Sequence, residues 1–378
     1  MNPAPSVQPD KDVFCGSAAI TELSARLAMD TEADISDDQI TAILGPGTVD
    51  AFRYARGCLQ GSVRRTTGEP AFCHSADIAM RAADLGYPRP VIEVCLLHDI
   101  VEERSSDVAE LAHCQDEIAA RFDPTVAEDV RLCTNRYSIL IRSLAVPEGL
   151  AFGPESREPL RQVLTALRNG LPEPMRQRFQ AELDRLTGYF LDELDLSGGA
   201  AKARLNRRFT VMSEVRLQSY RLFLQELGDD SRQRPSSEGF HEVPLVVKAL
   251  DMVDNLRTSD AANLGGLERI LLKTESYLDN SFYLHEHVRQ AGREDATTFL
   301  YIYDYLKHQL IEQLRERQRA LEYLADTRFG ILARYLGQQI GRLQEKYKIG
   351  DSPVEQLAQL RDQIRERNMP GSPPPKES

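Results

Sequence analysis

Apolar residues recur along most of the chain at spacings of three and four, the signature of helices that bury one stripe. Leu23, Leu27 and Met29 mark a first helix, and Val49 to Gln60 (VDAFRYARGCLQ) another. A loop over 62–72 (SVRRTTGEPAF), forced by Gly68 and Pro70, precedes a helix from Ser75 to about Leu85 that Gly86 and Pro88 close. The next helix starts near Pro90, a residue suited to a first turn, and carries Val91, Val94, Cys95 and Leu97 into the dipeptide His98-Asp99. Ser106 is expected to cap a helix through Phe122, and Pro124 opens the run VAEDVRLCT.

The pattern changes between Tyr137 and about Arg208. Pro147, Gly149, Gly153, Pro154 and Pro159 mark irregular chain, followed by helical runs over 158–169 and 173–194 and a break at Gly198-Gly199. We read 137–208 as a helical insertion that packs on, or covers, the main domain. SEVRLQSYRLFLQELG resumes a strong helix, a polar loop (DDSRQRPSSEG) follows, and then comes the helix bearing Asp251. From Asp295 to Lys348 the helical spacing runs through Leu306, Leu310, Leu314, Leu321, Leu324 and Ile331, softened at Gly330, Gly337 and Gly341. A long hairpin, a second helical lobe or an oligomerisation surface would each give that pattern. Residues 1–16 and 369–378, rich in Pro and Ser, are expected to be disordered. No run sustains strand alternation, and neither GxGxxG nor a P-loop occurs. The expected fold is all-α, with a main domain over 17–290 that contains the insertion and a helical extension over 291–368.

Composition narrows the function. The chain has 378 residues, of which 42% are hydrophobic, enough for a large core. A net charge of -12 argues against nucleic-acid binding, which needs a basic face. It leaves room for a small anion, because a local pair such as Arg64 and Arg65 acts against the global field. The six cysteines (Cys15, Cys58, Cys73, Cys95, Cys114, Cys133) include no CxxC pair, so they are expected to pack as reduced thiols. The start MNPAPSVQPDKDVF lacks the basic and apolar parts of a signal peptide, and no apolar run approaches the ~18 residues of a membrane span. A soluble, cytoplasmic protein with no membrane partner is the expectation.

The candidate chemistry starts from LLHDIVEE, residues 96–103, which sets His98 beside Asp99 at the end of an apolar run. That dipeptide is a weak signal alone. His74 in RRTTGEPAFCHSADIAM and Asp251 in VVKALDMVDNLRT complete a set of two imidazoles and two carboxylates, suited to a divalent transition ion in hydrolysis. The 24 residues from His74 to His98 hold one helix, a turn and most of a second, so the imidazoles can face each other across a helical pair. If the helix continues past Asp99, Glu102 and Glu103 lie on its metal-facing side.

Together RRTTGEPAFCH, LLHDIVEE, VAEDVRLCT and KALDMVDNLRT resemble the HD hydrolase domain of the RelA/SpoT family, which removes the 3′-pyrophosphate from the guanosine alarmones ppGpp and pppGpp. The likeness covers the core of residues 40 to 290, without 137–208 or the C-terminal 90 residues, and the family's synthetase domain has no counterpart. It implies an HD-domain helical bundle of the hydrolase-only type. It makes His74, His98, Asp99 and Asp251 the ligands of one manganese ion, and Glu102, with Glu103 beside it, the acid that positions or activates water. Arg65 takes the place of the residue that packs on the base, and Asn255 and Thr258 match nucleoside contacts on the Asp251 face. The chain departs from the family pattern at Glu103 (usually Asp), Thr66 (often basic), Ala71 (often aromatic) and Asp254 (usually His). Arg64 reads equally as pocket cation or surface charge, and Glu69 is expected to hold the loop. His113, His241, His285, His287 and His308 are not expected to be ligands. The expected partner is a small nucleotide, with a homo-oligomer through the C-terminal helices open. Another HD nucleotide phosphohydrolase or phosphodiesterase, or a nucleotide-sensing, partner-binding protein, are the alternatives.

Overall fold

The computed structural model describes residues 18–29, 35–64, 68–142, 157–189, 215, 219–227, 243–259, 264–290, 296–328, 330–346 and 354–368. Every regular element among them is helical, and the single β feature is an isolated antiparallel bridge between Val63 and Pro70. The all-α expectation holds. None of the described helices is long and apolar enough to cross a membrane. The disorder expected of 1–16 and 369–378, and the insertion from 190 to 208, lie outside the described residues.

The first half comprises α1 (Ala18–Met29), α2 (Asp37–Leu44), α3 (Val49–Cys58), α4 (Ala71–Asp84), α5 (Arg89–Leu97), α6 (Ile100–Arg104), α7 (Val108–Arg121), α8 (Pro124–Cys133) and α9 (Arg136–Arg142). Helix α2 escaped the sequence pattern because it is only eight residues long. Its start is fixed locally by a capping box: Ser36 Oγ accepts from the Gln39 N–H, and the Gln39 side chain accepts from the Ser36 N–H at 3.0 Å. Helix α4 begins at Ala71, four residues ahead of expectation, which puts His74 in its first turn. The cap of α7 is Asp107 rather than Ser106. The Asp107 carboxylate accepts from the N–H groups of Ala109 and Glu110 at 2.8 and 2.9 Å, while Ser106 donates to Glu110.

The second half comprises α10 (Arg157–Gly170), α11 (Glu173–Arg178), α12 (Gln180–Gly188), α13 (219–227), α14 (Val243–Thr258), α15 (Leu264–Gln290), α16 (Ala296–Leu324), α17 (Gly330–Lys346) and α18 (Val354–Asn368). Helix α14 organises the rest. Every residue from Val243 to Asp254 is buried, apolar and charged alike, as expected of a helix enclosed on all sides. It packs against α4, α5 and α8 on one side and α15 and α16 on the other. The C-terminal helices therefore fold back on the helix that carries Asp251, and α16 and α17 pair as a hairpin through Leu310, Leu314, Leu321, Leu336 and Ile340. Arg365 of α18 reaches the end of α4, pairing with the Asp84 carboxylate at 2.6 Å and its carbonyl at 2.7 Å.

Arg317 of α16 supplies a second tie of this kind. Its guanidinium donates to the carbonyl of Leu256 at 3.0 and 3.1 Å, which also accepts from the Ser259 hydroxyl and N–H, and to the carbonyl of Arg257 at the last turn of α14. Removing a charged donor from such carbonyls costs about 1–3 kcal/mol. Arg317→Ala should lower the denaturation midpoint accordingly, and an unchanged midpoint would show that water replaces the guanidinium at no cost.

Candidate metal centre

Three separate stretches bring the acids and imidazoles together. His74 comes from the first turn of α4, and Asp251 from the middle of α14. His98 and Asp99 lie in a turn between α5 and α6, so the helix that the sequence allowed to run on is broken at the dipeptide itself. The two imidazole rings face each other with centroids 5.4 Å apart. Donor atoms of His74, His98 and Asp99 all lie within 4.8 Å of one another. Asp251 adjoins this set through His74: its Oδ1 is 3.1 Å from His74 Nε2, and Asp99 Oδ2 is 3.5 Å from the same nitrogen. The Asp99 side chain is 29% exposed, whereas those of His74, His98 and Asp251 are 6% or less, so the centre opens to solvent at Asp99.

Each imidazole is held by the nitrogen that points away. His98 Nδ1 lies 2.8 Å from the Cys95 carbonyl, which only accepts, so the proton sits on Nδ1 and the Nε2 lone pair faces the site. Burial, aided by Lys248 and His74, keeps His98 below its ordinary pKa despite Asp99 and Asp251, and therefore neutral. Its Nε2 is buried without a hydrogen-bond partner, yet stands 3.1 Å from Asp99 Oδ1. A lone pair and a carboxylate oxygen at that distance repel unless a cation lies between them or beside both. His74 Nδ1 is 2.7 Å from Asp254 Oδ2, a carboxylate-histidine pair of the kind that orients metal-binding imidazoles. Burial alone would lower the His74 pKa, but its bonds to Asp251 and Asp254 raise it to about 9. A proton thus holds the carboxylates to His74 in the metal-free protein, and a divalent ion would compete for that place. The donor set fits such an ion.

Charges around the set balance closely. Burial would raise the Asp251 carboxyl, but the Lys248 ammonium, 2.8 Å from its Oδ2, and His74 hold it well below the usual range. Asp254, also buried, is likewise held down by His74, Arg257 and Arg64. Arg64 Nη1 is 3.1 Å from Asp254 Oδ2 and its Nη2 donates to Asn255 Oδ1 at 3.0 Å. Arg257 bridges Asp254 and Asp77 at 2.7 and 2.8 Å, and Ser24 donates to Asp77 at 2.7 Å. The loop that delivers Arg64 closes on itself through Arg64 N–H to the Glu69 carbonyl and Gly68 N–H to the Arg64 carbonyl. Gly68 does this at φ +74°, a conformation that penalises side chains.

The remaining residues expected from sequence divide. Asn255 donates to Asp251 Oδ1, and Thr258 Oγ1 donates to the Asp254 carbonyl of its own helix at 2.8 Å. Both reach the region, and both side chains bond within the protein. Glu102 is half-buried, with Oε1 accepting from the Asn135 N–H at 2.7 Å, while Glu103 is exposed. Arg65 and Thr66 lie outside the described residues, as do His241 and the side chains of His285 and His287. His113 pairs with Glu117 on an exposed face of α7. Sequence reasoning left Arg64 undecided, took Asp254 only as a departure and passed over Lys248. The available signal was Lys248 itself, an ionisable residue in the run VPLVVKALDMV, where burial demands a partner.

No family model matches the chain, and comparison with curated proteins and with solved structures also gives no match.

Proposed function

We propose that the chain is a metal-dependent phosphohydrolase of the HD type, removing the 3′-pyrophosphate from a guanosine alarmone or close purine analogue. The observation that carries this is the buried, unpartnered His98 Nε2 beside Asp99 and opposite His74. Manganese is the proposed ion, held by His74, His98 and Asp99 with Asp251 adjoining. It would supply a Lewis acid for a phosphoryl oxygen and acidify the attacking water. The protein does the rest: Asp254 and the Cys95 carbonyl orient the imidazoles, Lys248 keeps Asp251 ionised, and Glu102 receives a proton. With Oε1 fixed by Asn135, the Glu102 carboxylate offers its other oxygen to that proton. The choice of an alarmone rests on the motif resemblance.

One observation favours a second reading, a phosphohydrolase for another nucleotide. Asn255 and Thr258, which the alarmone reading uses against the nucleoside, bond to Asp251, Arg64 and Asp254 instead. A substrate panel with manganese decides: ppGpp, ppApp, cyclic nucleotides and nucleoside monophosphates, with products identified. Release of pyrophosphate from ppGpp or ppApp supports the first reading. Preferential turnover of a monophosphate or cyclic nucleotide supports the second, and no turnover of any would sink both.

Glu102→Gln is expected to keep manganese binding and lower kcat by roughly 10²–10⁴-fold, the usual size of a general-base contribution. Glu103→Gln, on an exposed carboxylate, should change kcat little. Equal kcat in the parent and Glu102→Gln would remove the acid from the reaction.

A further inference from the structure

One wall beside the centre is built around Tyr220, Phe223 and Lys273, which belong neither to the metal set nor to the quoted motifs. In α13 the rings of Tyr220 and Phe223 lie 5.6 Å apart, and each is close to a lysine ammonium. Lys248 Nζ is 5.8 Å from the Phe223 ring centre, and Lys273 Nζ, from α15, is 4.7 Å from that of Tyr220. The Tyr220 hydroxyl lies 3.7 Å from Met252 Sδ, which fixes the ring against α14 next to Asp251. The aromatic pair thus holds two cations near Asp251, Lys248 one turn before it on α14 and Lys273 on the Tyr220 ring, while Arg64 is bonded one turn after it, at Asp254 and Asn255.

The two lysines differ in what they already hold. Lys248 is committed to Asp251 at 2.8 Å. Lys273 has the Tyr220 ring face and, among the described residues, no carboxylate within ion-pair distance. Burial lowers its pKa, Lys248 and Arg269 add to that, and only the fields of Asp251 and Glu102 oppose it. Lys273 is half-buried, and an ammonium in that position with no carboxylate partner among the described residues gains from an anion brought to it. The ring face offers partial compensation of about 0.5–2 kcal/mol, less than a charge-assisted hydrogen bond to an anion provides.

We infer that Lys273, seated on Tyr220 beside the centre, binds a phosphoryl group of the substrate or of the leaving pyrophosphate. The ligand class rests on the phosphohydrolase reading; the anion site itself is tested without turnover. Inorganic pyrophosphate is the probe, titrated calorimetrically into the manganese-loaded full chain. Lys273→Gln should weaken pyrophosphate about 10–100-fold, the worth of one charged hydrogen bond, with manganese affinity unchanged. Lys273→Arg should restore most of it, and Lys273→Met, which retains the stem over Tyr220, should repeat the loss if glutamine impairs folding. In kinetics, Lys273→Gln should raise KM more than it lowers kcat. If no nucleotide is hydrolysed but pyrophosphate binding still depends on Lys273, the inference stands and the enzyme reading falls. Equal pyrophosphate affinity in parent and Lys273→Gln, or none in the parent, overturns the inference.

Discussion

His74→Ala is expected to abolish manganese binding and turnover together. His74 is the hinge of the whole centre: Nε2 faces Asp251 and Asp99, and Nδ1 is tied to Asp254. Alanine removes one donor and also strips three carboxylates of the group that lies between them. Asp251→Ala should likewise abolish binding, and it additionally leaves Lys248 as a buried ammonium without its partner. Asp254→Asn is the more discriminating change. It keeps an oxygen for His74 but removes the charge, so manganese should still bind, about 10–100-fold more weakly, as is typical when an outer carboxylate is lost. Metal content after dialysis and calorimetric titration measure both effects. Full activity in excess chelator would contradict the proposal outright.

Arg136→Met should destabilise the protein by about 3–5 kcal/mol, the cost of removing one partner from a buried ion cluster. Arg136 is 1% exposed. Its Nε donates to Glu182 of α12 at 2.8 Å, its Nη1 to the Arg131 carbonyl at 2.6 Å, and its Nη2 stands 2.9 Å from Glu226 of α13. Without it, two buried carboxylates keep, among the described residues, the longer contacts to Arg131 (3.8 Å) and Arg185 (3.3 Å), with Tyr137 beside Glu226. A triple replacement, Arg136→Met with Glu182→Leu and Glu226→Leu, should recover much of the loss, because no uncompensated charge remains. Urea denaturation of the three proteins tests this. A single variant within about 1 kcal/mol of the parent would mean that water or the neighbouring arginines already satisfy the acids. The cluster also borders the proposed site, since the adjoining Asn135 N–H holds Glu102. Helix α12, from the segment read as an insertion, is thereby linked through Arg136 to the turn that fixes this acid.

The sequence by itself determined what depends on near neighbours. Helical spacing through Val91, Val94, Cys95 and Leu97, a proline near the start of α5 and the His98-Asp99 dipeptide are local facts, and they led to a helical protein with an imidazole pair. Burial in long helices is written into the same spacing, as at Leu310, Leu314 and Leu321. Short-range competition was harder to read. Which of Ser106 and Asp107 caps α7, and whether the helix survives the His98-Asp99 dipeptide, turn on a single hydrogen bond or one backbone angle.

Only the tertiary structure decided which charges meet. His74 and Asp254 are 180 residues apart, and Arg64 and Asp254 are 190 apart, so no spacing rule connects them. Asp254 stood out in sequence as a departure from the histidine of the family whose motifs the chain resembles, and in the fold it is the carboxylate bonded to His74 Nδ1. Arg136, Glu182 and Glu226 are likewise unremarkable charges along the chain and become one buried cluster when α9, α12 and α13 pack. Lys273 acquires its character in the same way, from a ring brought to it by another helix. The physical reason is common to all of them. A charged side chain on a helix is comfortable in water wherever it lies, and the desolvation that makes it pair, orient a ligand or await an anion arises only when the helices close around it.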